Sequence, residues 1–160
     1  MEKEKQMTTE VRTIENAEEK RRICRAILEA LPEWFGIPEA REEYIRESAD
    51  KPFFAATDGE KPVGFLYLKE TGRDTVELYV MGVLKAWHRS GAGRALVEAA
   101  KRAAHEAGYA FMQVKTVQMG KYAEYDATNR FYLAMGFKEF EVFPYLWDEW
   151  NPCQVYVMGL

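Results

Sequence analysis

The chain has 160 residues, 48% of them hydrophobic and 14% aromatic, with a formal net charge of -4 and a pI near 5.4. That composition excludes a disordered segment and gives one compact core that can bury roughly two thirds of the unfolded surface. The acidic balance lacks the basic footprint of a nucleic-acid binder, and no apolar run approaches the ~20 residues that a membrane helix needs.

The start, Met1-Glu2-Lys3-Glu4-Lys5-Gln6, is charged and lacks the apolar stretch of a secretory signal, which points to a cytoplasmic protein. Val11-Arg12-Thr13-Ile14 alternates as a strand. Asn16, three residues before Glu19, predicts a capped helix with Ile23, Ile27, Ala30 and Leu31 on one stripe, stopped by Pro32. Trp34 and Phe35 then fall in a loop, as a core lid or as a ligand wall, and Pro38 opens a second helix. Phe53 to Thr57 and Val63 to Leu68 read as strands joined across Asp58-Gly59, a hairpin signal.

Thr75 to Leu84 is a strand too long and too apolar for an edge. A helix from about Gly91 to Ala107 follows, with Gly108 as its C-terminal cap. Phe111 to Val117 is the next strand, parallel to the previous one across a right-handed helical crossover. Ala123 to Met135 predicts a helix with Thr128, Phe131, Tyr132 and Met135 as its inner stripe, capped by Gly136. Phe137 to Phe143 and Val155 to Met158 read as strands, with Pro144 to Pro152 as the loop between them. Cys24 and Cys153 make no metal-spaced pair and the two histidines are far apart, so no metal site is expected and both thiols read as structural.

The junction between the long strand and the helix after it is where a ligand is expected. A helix start leaves its first amides without intrahelical partners and carries the positive end of the dipole, so a phosphate fits there. Gly91 and Gly93 let the main chain approach such a ligand without a Cβ in the way. A Gly-x-Gly pair alone is equally consistent with a plain tight turn. Ala95 and Leu96 stand where a dinucleotide fingerprint would carry its third glycine.

His88-Arg89-Ser90-Gly91-Ala92-Gly93 resembles the Gln/Arg-x-x-Gly-x-Gly/Ala acyl-CoA loop of the GNAT superfamily of N-acyltransferases, with His88 in the Gln/Arg place. Asn129-Arg130-Phe131-Tyr132-Leu133-Ala134-Met135-Gly136-Phe137 resembles the family's late Phe/Leu-Tyr-x-x-x-Gly-Phe signature. The predicted order β-α-α-β-β-β-α-β-α-β-β agrees with the GNAT fold, an α/β architecture on a mixed sheet. The resemblance therefore implies a flexible tail over 1–8 and a single GNAT domain over 9–160.

It also implies an activity and a site. The activity is transfer of an acetyl group from acetyl-CoA to a primary amine by direct attack in a ternary complex. The cofactor-binding set would be Met81, Gly82 and Val83, with a backbone N–H near Met81 or Val83 for the carbonyl oxygen, His88, Arg89, Ser90, Gly91, Ala92, Gly93 and Arg94 for the pyrophosphate, and Asn129 on the late helix. Tyr125 belongs to the same set and replaces the asparagine frequent at its place in the family. Glu77, the charged residue within the long apolar strand, is the candidate base, and a solvent-facing glutamate is the other reading. Tyr132 is the candidate acid for the departing thiolate, and a core-packed aromatic is the other reading.

For the acceptor, Trp34 and Phe35 together with Tyr145, Trp147 and Asp148 supply flat faces and negative charge that suit a cationic amine, whether a small molecule or a peptide. The same aromatic loop could instead plug the sheet or form a homodimer contact. A GNAT-fold module that holds acyl-CoA without turnover, or regulates through it, is the alternative to an enzyme.

Overall fold

The structure is a computed structural model and describes residues 9–160, so the expected tail over 1–8 lies outside the described residues. The elements run β1 (Glu10–Ile14), α1 (Ala17–Glu29), α2 (Pro38–Glu47), β2 (Phe53–Asp58), β3 (Lys61–Gly72), β4 (Thr75–Val83), α3 (Ala92–Glu106), β5 (Phe111–Val117), α4 (Ala123–Ala134), β6 (Lys138–Asp148) and β7 (Asn151–Gly159). This is the predicted order. The seven strands hydrogen-bond in the sequence β1-β2-β3-β4-β5-β7-β6.

The chain forms two compact units, one running up to Tyr67 and taking in Met81–Ala99, the other made of Leu68–Val80 and Ala100–Leu160. In the first, Asn16 caps α1 by accepting from the Glu19 amide at 2.9 Å, as its spacing predicts. The β2–β3 hairpin closes on the pair Asp58 and Lys61, with Gly59 at φ 61 supplying the left-handed residue that such a two-residue turn demands. A Cβ at Gly82 would stand 2.9 Å from Ile27 Cγ2 and 3.1 Å from Leu31 Cδ1, and one at Gly64 would meet Leu96 Cδ1 at 3.4 Å and Val83 Cγ2 at 3.1 Å. Successive strand residues face opposite ways. α1 therefore covers the Gly82 face of β4, and the start of α3 covers the Val83 face. Cys24 of α1 is fully buried, and burial pushes its thiol up to about 12.

In the second unit β4 and β5 are parallel, as expected, but their ladder holds only three pairs, Thr75 with Phe111, Val76 with Met112 and Glu77 with Gln113. β5 continues to Val117 against antiparallel β7, from Phe111 opposite Gly159 to Val117 opposite Cys153. α3 ends on Gly108, where the Gly108 amide donates to His105 O and the Tyr109 amide to Ala104 O. α4 ends the same way, with Gly136 donating to Leu133 O and Phe137 to Tyr132 O. Both are the left-handed glycine cap that their sequences predict. Cys153 of β7 is fully buried, and burial pushes its thiol up to about 11.

Two expectations need correction. Pro144 to Pro152 is mostly strand rather than loop: β6 runs on to Asp148 and β7 begins at Asn151. Its register skips from Phe143 opposite Cys153 to Asp148 opposite Asn151, so Pro144 to Trp147 bulge out of the ladder. A proline has no N–H to give a ladder and is accommodated at a bulge on an edge strand, which β6 is. The inner stripe of α4 holds at Tyr132 and Met135, which are buried as expected, but at its start Asn129 is the enclosed residue while Thr128 is half-buried.

Candidate active site

The loop between β4 and α3 is built from backbone geometry. After Val83 the chain makes one 3-10 turn over Lys85–Trp87, and Arg89 then adopts φ 63 and Gly91 φ 92. Ser90 Oγ donates to Trp87 O at 2.5 Å and accepts from the Ala92 amide at 3.2 Å. Gly91 O takes the first helical bond, from the Ala95 amide. Gly93 and Arg94 therefore lie in the first turn of α3, where amides have no intrahelical partner. Left-handed residues among right-handed ones turn successive N–H groups into an anion-binding concavity. A Cβ at Gly91 would meet nothing within 4 Å, so the loop is open on that side. These features fit a pyrophosphate.

His88 does not stand free in this loop. Its Nε2 lies 2.8 Å from Val83 O, and because a carbonyl can only accept, that nitrogen carries the proton. The imidazole also meets the Trp34 ring edge-on, with centroids 5.9 Å apart. It ties the loop back to the end of β4. Lys85 and Glu33 form an ion pair in the same unit. Trp34 and Phe35 are half-buried, and Phe35 stacks edge-on against Tyr44. Among the sites expected on β4, Met81 and Val83 are half-buried, whereas Gly82 is buried under α1.

Glu77 is not a solvent-facing residue, being 6% exposed. Lys115 Nζ donates to its Oε1 at 2.6 Å. Sequence reasoning missed this lysine, and only the β4–β5 register reveals it: Gln113 is opposite Glu77, and Lys115, two residues on, shares the face of Gln113.

Tyr132 is buried, with ring contacts to Phe131, Phe137 and Tyr156 at centroid distances of 5.6, 5.6 and 6.3 Å. Burial pushes its phenol well above the usual tyrosine range, helped by Tyr125 and by the Glu77 carboxylate. It stays protonated. Asn129, expected beside the ligand, is instead wholly enclosed and spends its amide on the protein. Nδ2 donates to Val117 O at 2.8 Å and to Tyr125 O at 2.7 Å, and Oδ1 accepts from Tyr156 at 2.6 Å. Tyr125 is half-buried beside the exposed Tyr122.

At the β6–β7 turn, Tyr145 is 80% and Trp147 47% exposed. Asp148 serves the turn itself. Its Oδ1 accepts from the Trp150 and Asn151 amides, each at 2.9 Å, and Asn151 Nδ2 donates to both carboxylate oxygens. These bonds, with that from the Asn151 side chain foremost, hold the carboxyl below the ordinary aspartate range. A cavity of about 600 Å³ in this unit, lined in part by Thr75, Lys101, Phe111, Gln113, Lys138 and Phe140, contains none of the expected site residues. Among the described residues no group of three or more His, Cys, Asp or Glu could hold a metal, and no helix is long and apolar enough to cross a membrane.

Comparison with known proteins identifies the fold. A GNAT-family protein from Desulfovibrio desulfuricans superposes with a TM-score of 0.80 at 21% identity, over 95% of this chain and 99% of that one. The PaiA N-acetyltransferase of Thermoplasma acidophilum, solved in complex with coenzyme A, gives 0.73 at 16% identity over 96% and 100%. The ribosomal-protein-S18-alanine N-acetyltransferase of Escherichia coli gives 0.74 at 17% identity over 95% and 94%. At such identities the likeness is one of fold. No curated protein sequence matches the chain. The family model of the GNAT acetyltransferase domain matches residues 49–139, more than half of the chain, and the chain accordingly belongs to the GNAT acetyltransferase family.

Proposed function

We propose that the chain moves an acetyl group from acetyl-CoA to a primary amine by direct attack in a ternary complex. The observation that carries this reading is β4 itself, which bears a buried carboxylate and then runs into a left-handed, glycine-bearing turn at the start of α3. The coenzyme A in the Thermoplasma structure supports the donor. When bound, acetyl-CoA supplies a thioester carbonyl activated toward amines. The amides of Arg89, Gly91, Gly93 and Arg94 would hold its pyrophosphate, with the Arg89 and Arg94 side chains as further donors, whereas Ser90 and the Ala92 amide spend their protons within the loop and shape it. Glu77 takes a proton from the acceptor ammonium, directly or through water, and a backbone N–H near Met81 or Val83 holds the carbonyl oxygen. Tyr132, kept protonated by burial, gives its proton to the departing sulfur.

The exposed rings of Tyr145 and Trp147 suit a cationic acceptor, each ring face attracting an ammonium by roughly 0.5–2 kcal/mol. Trp34 and Phe35 are assigned to the acceptor as well, whereas Asp148 is assigned to its turn. One observation favours the second reading, a module that binds acyl-CoA without turnover: Glu77 is already engaged by Lys115. Replacing Glu77 by glutamine distinguishes the two. The enzyme reading expects turnover, followed by CoA release over a panel of amines, to fall by ~10²–10⁴ with CoA affinity unchanged. A wild-type chain that binds CoA but releases none with any amine would establish the binding module instead.

A further inference from the structure

We propose that the chain acetylates its own Lys115. The inference rests on reading Glu77 as the base. An acceptor must present a primary alkylammonium to that carboxylate, and Lys115 already does so, with Nζ 2.6 Å from Oε1. The Glu77 side chain is 7% exposed and that of Lys115 26%. The base is thus screened from water while the lysine keeps a path outward. The ladder between β4 and β5 ends at Glu77 and Gln113, so Lys115, still paired with Val155 of β7 on its other side, stands two residues beyond the last β5 residue bonded to β4.

The Lys85–Glu33 and Lys51–Asp50 pairs lack this combination. Glu33, which binds Lys85, is 36% exposed, and Asp50, which binds Lys51, is 81% exposed. Both lie outside β4. Cys153, whose thiol feels the charges of Lys115 and Glu77, is fully buried and is held protonated by burial, its thiol pushed up to about 11. The lysine nitrogen is the nucleophile this cluster offers.

The chemistry balances with an acetyl thioester as the only co-reactant. Glu77 takes one proton from the ammonium, and the neutral Nζ attacks the thioester carbonyl carbon. The C–N bond forms and the C–S bond breaks. Of the three ammonium protons, one passes through Glu77 to solvent, one ends on the departing sulfur and one stays on the amide nitrogen. Acetylation turns a cation into a neutral amide, so Glu77 loses its counter-ion in the product.

The test incubates the purified full chain with acetyl-CoA and follows it by intact and peptide-resolved mass spectrometry. One acetyl group is expected on Lys115, gained at a rate independent of protein concentration and about a hundredfold or more faster than at Lys85 or Lys51. Glu77→Gln should slow it by ~10²–10⁴. Lys115→Arg, which preserves the cation, should remove the fast phase. Acetylation of Lys115 no faster than of Lys51, or undiminished in Glu77→Gln, would mark uncatalysed chemistry and overturn the proposal. If an external amine is acetylated while Lys115 stays unmodified, self-acetylation is refuted and the base assignment stands. If CoA binds and neither amine reacts, both fall.

Discussion

Replacing Asn129 by alanine separates a residue that positions α4 from one that touches the ligand. The asparagine has no exposure, and three hydrogen bonds end on its side chain. Tyr125 O keeps the intrahelical bond of position 129, whose backbone alanine retains. Val117 O and the Tyr156 hydroxyl do not, and both are left buried without that partner. A buried polar group stripped of its partner costs about 1–3 kcal/mol, so the pair costs about 2–6 kcal/mol. In a chain of this size each kcal/mol shifts Tm by about 2–4 °C, which gives a fall of about 4–24 °C in differential scanning calorimetry. Tyr132 lies one turn further along α4 and touches the Tyr156 ring. Turnover should therefore drop while CoA affinity, measured by titration calorimetry, holds. An unchanged Tm with weakened CoA binding would refute this reasoning and return Asn129 to the ligand.

Gly82→Ala should destabilise the fold by about 1–3 kcal/mol, because the new Cβ must displace the buried side chains of Ile27 in α1 and Leu31 just after it; the contact of 2.9 Å to Ile27 Cγ2 is the tightest, and a variant as stable as the parent in urea would show that this packing yields freely. Asp148 has a lowered folded-state pKa, so its contribution to stability is present above the unfolded pKa and is lost as pH falls through the folded value. Fluorescence of Trp147 and Trp150 should report loosening of the turn as the pH falls below the ordinary aspartate range. Asp148→Ala should abolish that acid transition, and persistence of it would place the titrating group elsewhere.

Where local chemistry decides a conformation, the sequence was legible. Asn16 with Glu19, Asp58-Gly59, Gly108 and Gly136 each mark a boundary through a single backbone requirement, and each boundary falls where it was expected. The parallel neighbours β4 and β5 followed from the handedness of the crossover. What stayed hidden depends on register between segments distant in the chain. Lys115 meets Glu77 only because Gln113 pairs with it across an intervening helix. The enclosure of Asn129 likewise depends on Tyr156 and Val117 arriving opposite it. The β6 extension was masked by Pro144, which usually breaks a ladder but here sits in a bulge at the sheet edge. Turn-holding by Asp148 was legible in principle, since a short acidic side chain before a reversal commonly accepts from the amides that follow.

The two sealed cysteines have a practical corollary. The chain has only Cys24 and Cys153, neither is exposed, and burial holds both as neutral thiols, whereas a disulfide dye reacts with thiolate. In native protein such a dye should therefore react slowly with the polypeptide, so that under the proposed activity the colour would follow sulfhydryl liberated from the acyl carrier. In denaturant the same dye titrates two sulfhydryls per chain, so one reagent counts both turnovers and unfolded molecules.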